Sequence, residues 1–178
     1  MKKIILMLIT LTVMISCSNK NKEQNNNPPK FKISLPKSYL KENNEVDKFN
    51  FLTASKFINE EIVSMIEIRY SDDWSFSEMT NDQYIKEMLN TNKIDSTATH
   101  MFNNFKVHSK QEIYLKGIGK CFGSVYSGDY YLNDVRVTNF TVQFIKDNKL
   151  FTLIGSSTPE LFSGNYKEFL EIFDTFEI

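Results

Sequence analysis

The sequence predicts an α+β fold: an antiparallel β-sheet of about six strands built from consecutive hairpins, with a mid-chain helix on one face and a C-terminal helix on the other. Three observations carry this. Short turn signals at Asn59-Glu60, Asn133-Asp134 and Asp147-Asn148 each separate two β-rich runs, and Asn and Asp tolerate the positive φ that tight hairpin turns require. Phe162, Tyr166, Phe169, Leu170 and Phe173 recur at helical spacing near the end of the chain, which marks one buried helical stripe. The run between Val135 and Ser156 is apolar on both of its alternating faces. A sheet of that kind has to be covered on both sides.

In chain order, Phe31, Ile33 and Leu35 alternate and predict an opening strand that Pro36 stops. Lys37 to Asp47 is polar, with a reversal expected at Asn43-Asn44. A hairpin follows from Phe49–Phe57 and Ile62–Tyr70, pairing Phe57 with Ile62, Thr53 with Ile66 and Phe51 with Ile68. Ser71 to Met79 reads as a loop. Thr80 or Asn81 then caps a helix to about Asn92, with Tyr84, Ile85, Met88 and Leu89 facing inward. Phe105–Leu115 predicts a strand, and Gly117, Gly119 and Gly123 predict bulges around the next, Lys120–Leu132. A two-residue turn at Asn133-Asp134 would set Tyr130 by Val137, Tyr126 by Thr141 and Val125 by Val142. The last hairpin, Thr138–Lys146 with Lys149–Ser156, pairs Phe144 with Phe151, Val142 with Leu153 and Phe140 with Gly155. A one-residue slip would scramble its faces. Thr158-Pro159-Glu160 is a helix start, with a capping hydroxyl on Thr158 and a proline suited to the first helical position. Gly164 interrupts the early turns, so the firm helix is expected from near Asn165.

Ahead of this domain, Met1-Lys2-Lys3 is a positive n-region and Ile4 to Ile15 an apolar core of about a dozen residues. A bilayer span takes about 20. Met14-Ile15-Ser16-Cys17 resembles the bacterial lipobox, although Met14 stands where Leu is usual. That resemblance implies removal of residues 1–16 and a mature N-terminus at Cys17 carrying a diacylglyceryl thioether and an amide-linked acyl chain such as palmitate. The alternative is an ordinary signal peptide cleaved near Ser16, with Cys17 incidental. Residues 17–30 then form a lipidated tether, because Ser18 to Pro29 contains no apolar residue and ends in two prolines. Extended at ~3.3 Å per residue, it reaches on the order of 40 Å. The absence of Asp at Ser18 favours, by the same resemblance, the outer membrane of a diderm envelope. Residues 31–178 remain as one domain.

Composition narrows the function. Basic residues number 21 against 22 acidic, and losing Lys2 and Lys3 leaves 19 against 22. No basic excess points to nucleic acid. Cys121 is the one cysteine after Cys17, and neither His100 nor His108 forms a motif with it; a nucleophile needs a base and an oxyanion site. Gly117, Gly119 and Gly123 have the wrong spacing for a dinucleotide fingerprint. Asp72, Asp73, Glu78 and Asp82 lack the spacing of a calcium loop and suit a solvated loop before a helix N-terminus. No catalytic, metal or cofactor residue is assigned. Trp74 in its polar loop, and Tyr130 and Tyr131 beside a hairpin tip, are the candidate partner-binding residues, since loop aromatics are common anchors.

The opening Phe31-Lys32-Ile33-Ser34-Leu35-Pro36 and the closing run from Asp147-Asn148-Lys149 through Leu150–Gly155 to Tyr166–Phe176 resemble the PsbP-type α/β/α fold, the PsbP and Mog family. The resemblance implies binding or accessory work on a partner without enzymatic activity, and no functional residue transfers by motif. The expected function is a lipid-anchored envelope protein that engages another envelope protein. The alternative is a carrier of a small molecule or lipid, using a pocket between helix and sheet. A hydrolase comes third.

Overall fold

The computed structural model describes residues 29–42, 50–71, 78–91 and 101–178. Their elements are β1 (Tyr39–Glu42), β2 (Asn50–Ile58), β3 (Glu61–Ser71), α1 (Asn81–Asn90), β4 (Phe102–Leu115), β5 (Gly119–Tyr130), β6 (Arg136–Lys146), β7 (Lys149–Ser157) and α2 (Pro159–Phe173). The strands form one antiparallel sheet in the order β1-β2-β3-β7-β6-β5-β4. The leader, Cys17, Trp74, the Asn43-Asn44 turn, His100, Asp72 and Asp73 lie outside the described residues.

The β6–β7 hairpin is the best-specified part. Asp147 and Asn148 take φ values of 51° and 58°, and Phe144 faces Phe151, Val142 faces Leu153 and Phe140 faces Gly155, as predicted. Asn59 and Glu60 also take positive φ and set Phe57 opposite Ile62. Beyond that turn the expected register is wrong. A shift between Lys56 and Phe57 puts Ala54, not Thr53, opposite Ile66, and Leu52, not Phe51, opposite Ile68. An extra residue in one strand flips its faces, so Ala54 enters the core and Thr53 turns to the other side. In the β5–β6 hairpin the pairing differs by two residues from expectation, with Tyr126 opposite Asn139 and Val125 opposite Phe140.

The sheet has seven strands instead of about six. Phe31–Leu35 makes only one bridge, Lys32 to Glu177, and the first strand is Tyr39–Glu42, inside the stretch read as polar turn. Phe31, Ile33 and Leu35 do pack against the main core, and Phe31 stacks on Phe176 at 5.5 Å. Their alternation thus records one-sided burial beside α2, with no strand pairing. The bulges of the β4–β5 pair fall at Asn103/Lys106 and Val107/Ser109, away from Gly117, Gly119 and Gly123.

The two helices cover opposite faces. α2 begins at Pro159, not near Asn165, and the expected Thr158 hydroxyl cap does not form; a glycine inside a helix, as at Gly164, costs only about 1 kcal/mol, too little to break it. Phe169 and Phe173 are fully buried over Phe140, Val142 and Phe151. α1 carries a complete capping box, with Gln83 N–H donating to Thr80 Oγ1 at 3.3 Å and Thr80 N–H to Gln83 Oε1 at 2.9 Å. It buries Tyr84 and Ile85 against Phe122, with Met88, Ile145 and Leu150 alongside. Leu89, expected inward, is 38% exposed, since α1 shows only one narrow face to β4, β5 and β6. Among the described residues no helix is long and apolar enough to cross a membrane.

Candidate interaction site

The β5–β6 turn presents the predicted tyrosines. Asp134 takes φ 55° and donates its N–H to the Tyr130 carbonyl at 2.8 Å, and Tyr130 N–H donates to the Val135 carbonyl at 2.9 Å. The loop therefore spans Tyr131 to Val135, longer than the two-residue turn expected. This geometry sends Tyr131, Leu132 and Val135 outward, 40%, 50% and 40% exposed. Tyr130 behaves differently from Tyr131. Its ring meets Phe102 edge-on at 5.4 Å and stacks on Tyr131 at 6.0 Å, and it is half-buried. Phe102 also meets Tyr126 at 6.0 Å, and Phe105 lies 5.3 Å from Tyr126. Gly128 permits this cluster, because a Cβ there would stand 2.6 Å from Phe102 Cβ.

Behind the tyrosines lies a charged pair on the α1 side of the sheet. Glu67 is buried and Arg69 half-buried, and the guanidinium donates to the carboxylate. Burial disfavours the Arg69 charge, and Glu67 more than offsets it, so the arginine pKa lies above its ordinary value. Burial raises the Tyr130 hydroxyl pKa, the Glu67 carboxylate adds to the rise and Arg69 opposes it. Nearby, Ser156 Oγ donates to Asn139 Oδ1 at 2.5 Å, and Ser124 bonds Thr141 at 2.6 Å. Arg69 Nε and Asn139 Nδ2 are buried without a hydrogen-bond partner, so this polar face is only partly satisfied and adds little net stability. The sequence held a signal for it: Glu67 and Arg69 alternate with the core residues Ile66 and Ile68 and so share the opposite face.

The remaining candidates are structural. Cys121 is fully buried on β5, and burial pushes its thiol up to about 12. A thiol held so far from its thiolate is a poor nucleophile. His108 Nε2 lies 2.8 Å from Ser127 Oγ, a pair not foreseen, but Ser127 is only 3% exposed and the bond ties β4 to β5 beside the bulge. Among the described residues no three His, Cys, Asp or Glu side chains could share a metal ion. The gap between α2 and the sheet, where a carrier would hold its ligand, is filled by aromatic rings. Phe140 lies 4.8 Å from Tyr166 and 5.8 Å from Phe173, and Phe169 sits directly on Gly155. Two open surface depressions of about 250 and 310 Å³ lie elsewhere, the first between Ser34–Pro36 and Glu168, Glu171 and Ile172 of α2, the second between α1 and Glu112 and Lys120 of the β4–β5 pair.

No protein-family model matches the chain, and no curated protein matches it. Solved structures do. Cyanobacterial PsbP (CyanoP) from Synechocystis superposes with a TM-score of 0.55 at 10% identity, over 83% of this chain and 86% of that one. The fold is PsbP-like. The yeast Ran-binding protein Mog1p from Saccharomyces cerevisiae gives a TM-score of 0.47 at 9% identity, covering 83% and 89% of the two chains. A Pseudomonas aeruginosa protein of unknown function gives 0.48 at 12%, covering 63% and 70%. The PsbP-like sheet is what places Tyr130 and Tyr131 at one end and the N-terminal segment, through the Lys32–Glu177 bridge, at the other.

Proposed function

We propose that this chain is a lipid-anchored protein of a bacterial cell envelope whose PsbP-like domain binds another envelope protein without catalysing a reaction. The observation that carries the binding role is the β5–β6 tip, where Tyr131 and Leu132 stay exposed on a turn stiffened by Tyr130 and Phe102. A preorganised aromatic on a rigid turn loses little entropy on contact. The lipobox-like Met14-Ile15-Ser16-Cys17 supports the anchor, and several acyl chains at ~0.8 kcal/mol per buried methylene would make it effectively permanent. In a diderm host the outer membrane is the favoured site. The packed α2–sheet interface argues against the carrier reading.

Two measurements test the parts separately. Wild-type protein is expected to incorporate an acyl-chain analogue in growing cells, and Cys17→Ser is expected to take up none and leave the membrane fraction. Unlabelled wild-type protein would overturn the anchor. For the binding role, Tyr131→Ala combined with Trp74→Ala is expected to melt within a few degrees of wild type, while envelope crosslinks to the partner disappear. Tyr130→Ala, by contrast, should lower the melting temperature, since its half-buried ring packs on Phe102. Undiminished crosslinks in the Tyr131/Trp74 variant would remove these two as contact residues.

A further inference from the structure

The tip of β5–β6 does not stand alone. β3 sets Ser64 opposite Ser157 and β6 sets Thr138 opposite the same Ser157. Both hairpins therefore run on past the end of β7, β3 from Glu61 and β6 from about Val135, by roughly 10 Å at ~3.3 Å per residue. Since β3 and β6 flank β7, they stand about two strand spacings, ~10 Å, apart. The start of α2 floors the gap between them. Large apolar side chains are exposed on all three walls: Phe57 at 43% and Ile58 at 52% on the β2–β3 turn, Leu132 and Val135 on the β5–β6 turn, and Leu161 at 41% on α2. Apolar exposure on three separate chain segments that converge on one end of a sheet is an interaction surface.

Its charge selects the occupant. Glu60 and Glu61 on one hairpin, Asp134 on the other and Glu160 at the floor are all exposed. Among the described residues, Arg136 beside the β5–β6 turn is engaged with Asp129 at 2.9 Å and Lys56 beside the β2–β3 turn with Glu168 at 2.9 Å. Lys37, also exposed, lies at the outer edge beside β1. The apolar rim is therefore framed by carboxylates that no described cation pairs. Anionic lipid headgroups and a second copy of the same rim would both be repelled. The N-terminal segment, moreover, leaves the domain at the far end of the sheet, beside Glu177, about 35 Å away for the 11 residues of β3 at ~3.3 Å each.

The geometry points to a docking surface for a protein segment that carries lysine or arginine among apolar side chains. This rests on the binding-module reading and adds the partner's chemistry to it. The test uses the full chain in cells, with a photo-crosslinking amino acid in place of Leu132, of Ile58, of Trp74 or, as a control on the edge strand β4, of Tyr114, which is 72% exposed. Leu132 and Ile58 are expected to crosslink the same partner peptide, with basic residues among apolar ones, and Tyr114 is not. Reversing charge at Glu60→Lys, Glu61→Lys and Asp134→Lys together is expected to cut the yield about tenfold or more, with the melting temperature unchanged. Should the triple variant fail to fold, Glu60→Lys alone carries the charge test. An acidic or neutral crosslinked peptide, a lipid or self-adduct, or a yield indifferent to charge reversal would overturn the inference. Crosslinking from Trp74 alone would sink the rim and leave the binding module standing; no protein captured from Leu132, Ile58 or Trp74 would sink both.

Discussion

Gly155→Ala is expected to destabilise the domain by about 3 kcal/mol, at the upper end of what overpacking costs. Gly155 lies on β7 directly beneath α2. A Cβ there would meet Phe169 Cγ and stand 2.6 and 2.7 Å from its two Cδ atoms. Phe169 is fully buried between Phe162 and Phe173, at 6.4 Å from each ring, so it has no room to yield without moving the helix. For a domain of about 150 residues the loss corresponds to roughly 6–12 °C in melting temperature. The cause is steric, because Gly155 is not among the positive-φ residues. Phe169→Leu in the same chain should therefore recover part of the loss, and a double-mutant cycle would show a favourable coupling. A Gly155→Ala protein within about 0.5 kcal/mol of wild type would mean that α2 does not pack on β7 as described.

The sequence was informative where local chemistry and hydrophobic phase agreed, and misleading where they left two answers equivalent. At the β6–β7 hairpin the turn residues and the face pattern allow one register. At the β5–β6 hairpin a two-residue slip keeps every side chain on its own face, because the strand period is two. Alternation alone could not separate the predicted turn from the longer loop through Tyr131 and Leu132. The bulge at Lys56/Phe57 carried no Gly or Pro to announce it.

The site divides in the same way. Tyr130 and Tyr131 stood out as aromatics beside a turn, but sequence treats them alike, and only the fold assigns one to Phe102 and leaves the other exposed. The acidic apolar rim was illegible in one dimension. Its members come from residues 57–61, 132–135 and 160–161, and the sheet order brings β3 and β6 to either side of β7.

The second large effect concerns Phe144 and Phe151. Their rings stack at 5.3 Å with an interplanar angle of 10°, both are 1% exposed, and Phe176 closes over them at 6.1 and 6.4 Å. Each Phe→Ala change is expected to cost about 3–5 kcal/mol, the transfer of the ring plus the cavity it leaves. The two losses should not add. Removing one ring already forfeits the stacking, so the double variant should be less destabilised than the sum by about 1 kcal/mol. The pairing depends on the Asp147-Asn148 turn holding positive φ at both residues. Asn148→Val would strain that turn, since β-branched side chains are poorly tolerated there. Denaturant unfolding of the two single variants, the double variant and wild type, with equal m-values as the check on two-state behaviour, gives the coupling directly. A coupling of zero would mean that the two rings are not cross-strand neighbours, and the register of the central hairpin, on which the placement of the β5–β6 tip and the rim depends, would fall with it.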